Sequence, residues 1–371
     1  MFELNEDNVR KYFSKKFGSE FLIEEIKKLG EGFHGVVFSI DAVDKKREKK
    51  RFILKTFKGE GFGQDYPADR ASSVIRSLMD SPLLENHIKI LDAGSIQEDS
   101  SLMSLGNPKD FFIIMEEVRG MDYWKDLDEI RDKKKLDEKD VERIKILAKY
   151  SATIHKQKYD GPHAEQLYRR IVRDFVGHGE LTMGVIDSFP DKLDFVNGDD
   201  IVKIVKKMVE WWDKIKNKSH RLNVLHGDFY PSNIFFDGEK LLVTDRSRFR
   251  YGDAADDVSA FAINLINYSV LAYGDYRNPF KKLFEMFFEE YFKNRKDDKM
   301  FEVIPFFFAF RALVCIHPVF YSAEWMKKHG FSQESIDKMD KNKKKIVNFI
   351  KNILEEDGFK MDKINKYLGL E

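Results

Sequence analysis

The sequence predicts an α+β chain in two lobes, a small antiparallel β lobe followed by a large, mainly helical one. Three observations predict it. Up to about residue 118, short runs rich in β-branched and aromatic residues alternate with turns. From about residue 119, apolar residues recur at three- and four-residue spacing over long stretches. A glycine-rich pattern near the start leads into a β-rich run and not into a helix. The boundary drawn from this change of texture gives 1–118 and 119–371.

The elements follow in order. "GVVFSIDAV" (35–43), "RFILKTF" (51–57), "HIKILDAGS" (87–95) and "FFIIMEEV" (111–118) read as strands of a mostly antiparallel sheet. Between them "PADRASSVIRSLMDS" (67–81) reads as the one helix of this lobe, with Pro67 in its first turn. In the second lobe, 138–157 carries apolar residues at 141, 144, 147, 148 and 154. Stretches 199–218, 257–273, 279–292, 303–316 and 335–356 are also helical by period, and 224–245 is a β island among them. The charge runs "RDKKKLDEKD" (131–140) and "DKNKKK" (340–345) read most simply as solvated surface.

Composition removes several function classes. Lys and Arg total 64 and so do Asp and Glu, so a dedicated nucleic-acid or anionic-membrane protein is disfavoured. Cys315 is the one cysteine, which excludes an internal disulfide and a Cys-rich zinc site. The start "MFELNEDNVRKYF" lacks the basic and apolar regions of a signal peptide, and a cytoplasmic protein is expected. The most apolar stretch, 303–321, is interrupted by Arg311 and by His317-Pro318, so it reads as a buried helix and not a span.

Gly30, Gly32 and Gly35 form a G-x-G-x-x-G-x-V pattern. In a dinucleotide-binding fold these glycines would open a helix. Here Val36, Val37, Phe38 and Ile40 follow, so the pattern is a hairpin whose tip can fold over phosphates, or a plain tight hairpin. Lys55 sits inside the apolar strand "FILKTF". A buried ammonium needs an anion, and nucleotide phosphates backed by a carboxylate would serve. The alternative is an edge lysine that snorkels to water. The following helix offers Asp69 as that carboxylate, and Asp69 equally suits the helix N-terminus.

"VLHGDFYPSNIFFDGEKLLVTD" (224–245) places Asp228, Asn233 and Asp245 about one hairpin, with Asp237-Gly238 as its turn. Magnesium takes hard oxygen ligands and keeps part of its water, so Asn233 and Asp245 plus substrate phosphates suffice. Asp228 is then left to accept a proton from an attacking hydroxyl.

"HGDFYPSN", the later Asp245 and "GDAADDV" together resemble the phosphotransferase family of aminoglycoside, choline and homoserine kinases. That family shares a two-lobed fold with the protein kinases. "LAKYSATIH", ending at His155, resembles the helix before the family's catalytic loop, and "FFIIMEEVRG" resembles its inter-lobe strand and linker. The resemblance covers roughly residues 20–320. It implies Asp228 as catalytic base, Asn233 and Asp245 as Mg2+ ligands, Lys55 on the phosphates of ATP, and backbone contacts to adenine around Glu116 and Val118. His226 reads as a structural hydrogen-bonder of the loop. Asp257 matches the family aspartate that resembles a helix cap and loop brace.

The chain departs from the family in "DRSRFRYGD", where Arg246, Arg248 and Arg250 follow Asp245. They read either as phosphate-facing groups or as surface ion pairs. Only six residues separate Asp245 from Gly252, too few for a peptide-docking activation segment. The expected acceptor is therefore a small-molecule alcohol, with no nucleic acid or membrane as partner. An atypical Ser/Thr protein kinase and a catalytically silent nucleotide-binding scaffold are the alternatives.

Overall fold

Period-two alternation along the early strands builds the first unit, which in this computed structural model comprises Met1–Arg119 with Leu242–Arg248. The second unit comprises Gly120–Leu241 with Phe249–Glu371. The structure describes residues 5–18, 21–32, 35–58, 67–104, 110–161, 164–246 and 248–371. The tip of the glycine pattern, Phe33 and His34, lies outside the described residues.

The first unit runs α1 (Glu6–Phe17), β1 (Phe21–Glu31), β2 (Gly35–Asp44), β3 (Lys49–Phe57), α2 (Pro67–Asp80), β4 (Ile90–Ile96), β5 (Leu102–Met103) and β6 (Asp110–Glu116). The strands form one antiparallel sheet in the order β1-β2-β3-β6-β4-β5. Phe52, Leu54, Phe112 and Ile114 point to one face and bury against Val9, Tyr12 and Phe13 of α1. Ala93 and Ile113 point to the other and bury against Val74 of α2, with Phe57 and Met115 alongside. Lys55 alternates with Leu54 and Thr56 and so shares the α2 face with Phe57.

The sheet thus carries two helices where one was expected. The Asn5 side chain caps α1 by accepting the Asn8 N–H at 3.1 Å, with Glu6 and Asp7 in the first turn and Lys15 and Lys16 in the last. Its apolar stripe is only three residues wide. Lys16 pairs with the mostly buried Asp92 of β4 at 3.0 Å, and the Tyr12 hydroxyl donates to the same carboxylate.

The second unit begins with β7 (Met121–Asp122), α3 (Tyr123–Lys133), α4 (Glu138–His155), α5 (Ala164–Gly177), α6 (Thr182–Asp187) and α7 (Gly198–Ile215). Short strands β8 (Leu222–Val224), β9 (Ile234–Asp237), β10 (Lys240–Val243, whose last two residues fall in the first unit) and β11 (Tyr251–Asp253) form the β island. Then come α8 (Ala254–Tyr273), α9 (Phe280–Asn294), α10 (Met300–Ile316), α11 (Ala323–Lys328), α12 (Gln333–Asp337), α13 (Met339–Leu354) and α14 (Ile364–Tyr367). The β9–β10 turn has Gly238 at its first position with φ 61°, a left-handed residue that matches the strand twist. Pairing of β8 with β11 sets Val224 opposite Tyr251 and Leu222 opposite Asp253, which brings the 225–233 loop to the start of α8.

α8 and α10 are buried almost throughout, and α10 is an internal helix as its interrupting charge predicted. No helix among the described residues is long and apolar enough to cross a membrane. The helix expected over 335–356 is two, because Lys338 leaves the helical conformation between α12 and α13. The charge runs are not uniformly solvated. Arg131 is buried and donates to the His329 carbonyl, Asp140 is buried in the capping box of α4, and Lys343 of α13 is fully buried.

Candidate active site

Lys55 stands in register with Val37 on β2 and Ile113 on β6. Its ammonium pairs with Asp245 Oδ2 at 3.1 Å, across 190 residues of sequence. The return of 242–248 to the first unit supplies that carboxylate. Among the described residues the Lys55–Asp69 pair is therefore not formed, and Asp69 stays in the first turn of α2. Asp245 has φ 62°, in the left-handed region that Asp tolerates better than most residues.

Of the three glycines, Gly35 alone is packed against backbone: a Cβ there would lie 1.8 Å from the Thr56 carbonyl oxygen. Around Gly30 and Gly32 a Cβ would meet nothing within 4 Å, so their surroundings are open. Glu116 ends β6 and commits its N–H to the Lys89 carbonyl at 3.2 Å, and Val118 lies in the irregular segment that follows.

Arg246 is neither on the surface nor facing outward. It is 2% exposed and donates to the Asp80 carbonyl at 2.9 Å, at the C-terminal end of α2 where a cation is favoured. The Arg248 carbonyl accepts from Arg76. Arg250, in the second unit, is exposed and lies 5.0 Å from the Tyr251 ring.

The second unit holds the loop that carries Asp228. Asp257, in the first turns of α8, accepts the N–H groups of His226 at 2.7 Å and Gly227 at 2.8 Å. The expected capping falls instead to Asp253, whose side chain accepts the Ala255 N–H at 3.0 Å. His155 Nε2 lies 3.0 Å from Asp257 and its Nδ1 lies 2.9 Å from the Tyr291 hydroxyl. Burial raises the Asp257 carboxyl, but the His155 contact and the loop N–H outweigh it and hold the group below its ordinary value. Burial lowers the His155 imidazole, which stays neutral more readily than a solvated one. His226 accepts the Asp228 N–H through Nδ1 at 3.3 Å.

Asp228 and Asn233 are brought together. Asn233 Nδ2 donates to the Asp228 carbonyl at 3.0 Å, which commits the amide nitrogen and leaves its oxygen to act as a donor atom for a cation. Asp228 Oδ1 accepts from Arg311 at 2.8 Å. The same guanidinium binds Asp256 at 2.6 and 2.8 Å and the Gly227 carbonyl at 3.0 Å. Burial opposes the charge on Arg311, and the two carboxylates more than restore it. Sequence reasoning used Arg311 only against a membrane span. The signal was present, since one arginine inside a buried apolar helix must find a carboxylate.

No group of three or more His, Cys, Asp or Glu able to hold a metal occurs among the described residues. Asn233, in the second unit, and Asp245, in the first, each carry a hard oxygen of the type magnesium takes.

No family model and no curated protein matches the sequence. Solved structures do. The amicoumacin kinase hAmiN, in complex with AMP-PNP, Ca2+ and Ami, is 16% identical, with 93% of each chain covered and a TM-score of 0.56. A thermostable mutant of aminoglycoside phosphotransferase APH(4)-Ia in apo form is 15% identical, covering 91% of this chain and 98% of that chain at a TM-score of 0.50. A variant of the latter in ternary complex with ADP and hygromycin B gives 13%, 92%, 98% and 0.50. The six-stranded antiparallel sheet followed by a helical unit is thus the fold of the protein-kinase-like small-molecule phosphotransferases.

Proposed function

We propose that the protein is an ATP- and Mg2+-dependent kinase that transfers the γ-phosphoryl group to a hydroxyl of a small molecule. The observation that carries this reading is the Asp228 loop. Its backbone is held by Asp257, its Asn233 amide is turned by the Asp228 carbonyl, and its carboxylate is held by Arg311. Support for a small acceptor comes from the similar structures, which hold amicoumacin-type and hygromycin ligands.

Asp228 aligns the acceptor hydroxyl and takes its proton as the oxygen bonds to phosphorus. The bond from phosphorus to the ADP oxygen breaks, and ADP leaves with that electron pair. Lys55 and the backbone around Gly30, Gly32 and Gly35 hold the phosphates, and the segment Glu116–Val118 receives the base. Asn233 and Asp245 are the residues that would hold magnesium, whose charge would offset that of the phosphate oxygens. His226 and Asp257 hold the loop. Positioning and charge compensation supply most of the rate.

The test is ADP release by purified protein with ATP, Mg2+ and a panel of amino, sugar, amino-sugar and nucleoside alcohols. Asp228→Asn should lower kcat by about 10³-fold while ATP still binds. Turnover within threefold of the parent would remove Asp228 as the base.

A further inference from the structure

The helical unit carries an open cavity of about 510 Å³ where the end of α4, the turn leading into β8 and the connection from α9 to α10 meet. Its buried side is formed by Arg221 and Arg295, which are 4% and 9% exposed. The charge on that side is balanced: Arg221 binds Asp253, and both guanidiniums share Asp297.

The exposed side is not balanced. Lys156, Lys158, Lys296 and Lys299 line it, and the one lining carboxylate not engaged by the guanidiniums is Asp298. Among the described residues none of the four lysines forms an ion pair with a carboxylate, and Lys158 Nζ donates instead to the His220 carbonyl at 2.9 Å. In a chain of zero net charge, four ammoniums against one carboxylate leave a local excess of three positive charges. A concave wall of one sign concentrates its field. That field acts on the wall itself. Burial lowers the His220 imidazole, and Arg221, Lys158 and Lys218 lower it further against the opposing pull of Asp253. Burial also lowers the Lys158 ammonium, with Arg295 and Arg221 adding to the effect and Asp297 and Asp253 offsetting part of it.

The buried side is joined to the loop that carries Asp228. Arg295 Nε donates to the His155 carbonyl at 3.2 Å, and His155 Nε2 lies 3.0 Å from Asp257. Asp257 in turn accepts the His226 and Gly227 N–H groups.

We propose that this cavity binds a small soluble anion carrying two or more phosphate groups, held by Lys156, Lys158, Lys296 and Lys299. A single phosphate, with a charge of about −1.5 to −2, would leave part of the excess uncompensated. The volume is that of a small-molecule site. Cations gathered around a concavity, and not spread along a flat face, favour a compact anion over a membrane or a nucleic-acid strand. The bound anion ties three chain segments together beside the brace of the Asp228 loop, and so stabilises the fold.

Tripolyphosphate is the probe, without magnesium and at physiological ionic strength. It is titrated by calorimetry into the full chain and into Lys55→Met, which removes the phosphate contact proposed in the first unit. One equivalent should bind in both, raise the thermal midpoint and move the His220 titration, read by proton NMR, to higher pH. The double variant Lys296→Ala/Lys299→Ala should weaken binding by about tenfold or more, with the midpoint of the free protein no lower. Binding that disappears in Lys55→Met, or equal affinity in the double variant, would overturn the proposal. So would a protein that ignores tripolyphosphate yet sediments with phosphatidylserine vesicles or retains an oligonucleotide.

Discussion

Arg221 and Lys343 are both buried cations of the helical unit, and they live in opposite surroundings. Arg221 closes a circuit, meeting Asp253 at 2.7 and 2.9 Å and Asp297 at 2.8 and 3.1 Å. Arg295 completes it with Asp297 at 2.6 Å, the Tyr291 hydroxyl at 3.0 Å and the His155 carbonyl at 3.2 Å. Burial raises Asp297, yet the two guanidiniums hold it below its ordinary value. Lys343 makes no hydrogen bond through Nζ, and the carboxylate that acts on it is that of Asp340, a turn earlier on α13. Complete satisfaction marks a brace, here the one that fixes the start of α8.

The contrast breaks most visibly at Arg221. Arg221→Met leaves buried Asp253 without its guanidinium and Asp297 with Arg295 alone, and should cost about 3–5 kcal/mol of stability, read by urea unfolding. A loss under about 1 kcal/mol would show that the circuit braces nothing. Arg311 stands between the extremes, paired on one side and facing the reaction on the other. Arg311→Met should lower kcat by about 10²-fold, with KM for ATP within threefold and partial recovery in Arg311→Lys. A rise in KM for ATP at unchanged kcat would remove Arg311 from the alignment of Asp228.

The smallest effect has the opposite sign. Lys343 titrates near 8 in the folded protein and at 10.5 as an ordinary lysine. Below pH 8 both states hold the proton and the folded state carries the full burial penalty. Between 8 and 10.5 the folded state has shed the proton and the unfolded state has not, so stability rises with pH. Lys343→Met should therefore be more stable than the parent by on the order of 2 kcal/mol at pH 7, with the gap closing above pH 8. A gap that is absent at pH 7, or that widens with pH, would mean that Asp340 offsets the burial of the ammonium.

Local features of the site were legible in the sequence, and packing features were not. The strands announce themselves by alternation, and Asp228 and Asn233 stand five residues apart on one loop. α1 escaped notice because Val9, Tyr12 and Phe13 are an apolar stripe among charges, and only the sheet beneath gives the stripe something to cover. The sequence offers Asp69 on the next helix, 14 residues away, as the partner of Lys55, and the structure supplies Asp245 from 190 residues on. Asp228 and Arg311 meet across 83 residues, and Lys343 sits within a run that composition alone assigns to solvent. Which lysine of "DKNKKK" turns inward is decided by how α13 rotates against α8 and α10, a property of packed helices and not of any one segment.

The seven residues 242–248 have a consequence for how the chain is made. They belong to the first unit, yet the ribosome delivers them more than a hundred residues after the rest of it. During synthesis, Lys55 stays without its carboxylate and the end of α2 without Arg246 until most of the protein has emerged. A fragment ending at residue 119 lacks both anchors, so the nascent sheet lacks two of its ties until the helical part is well under way.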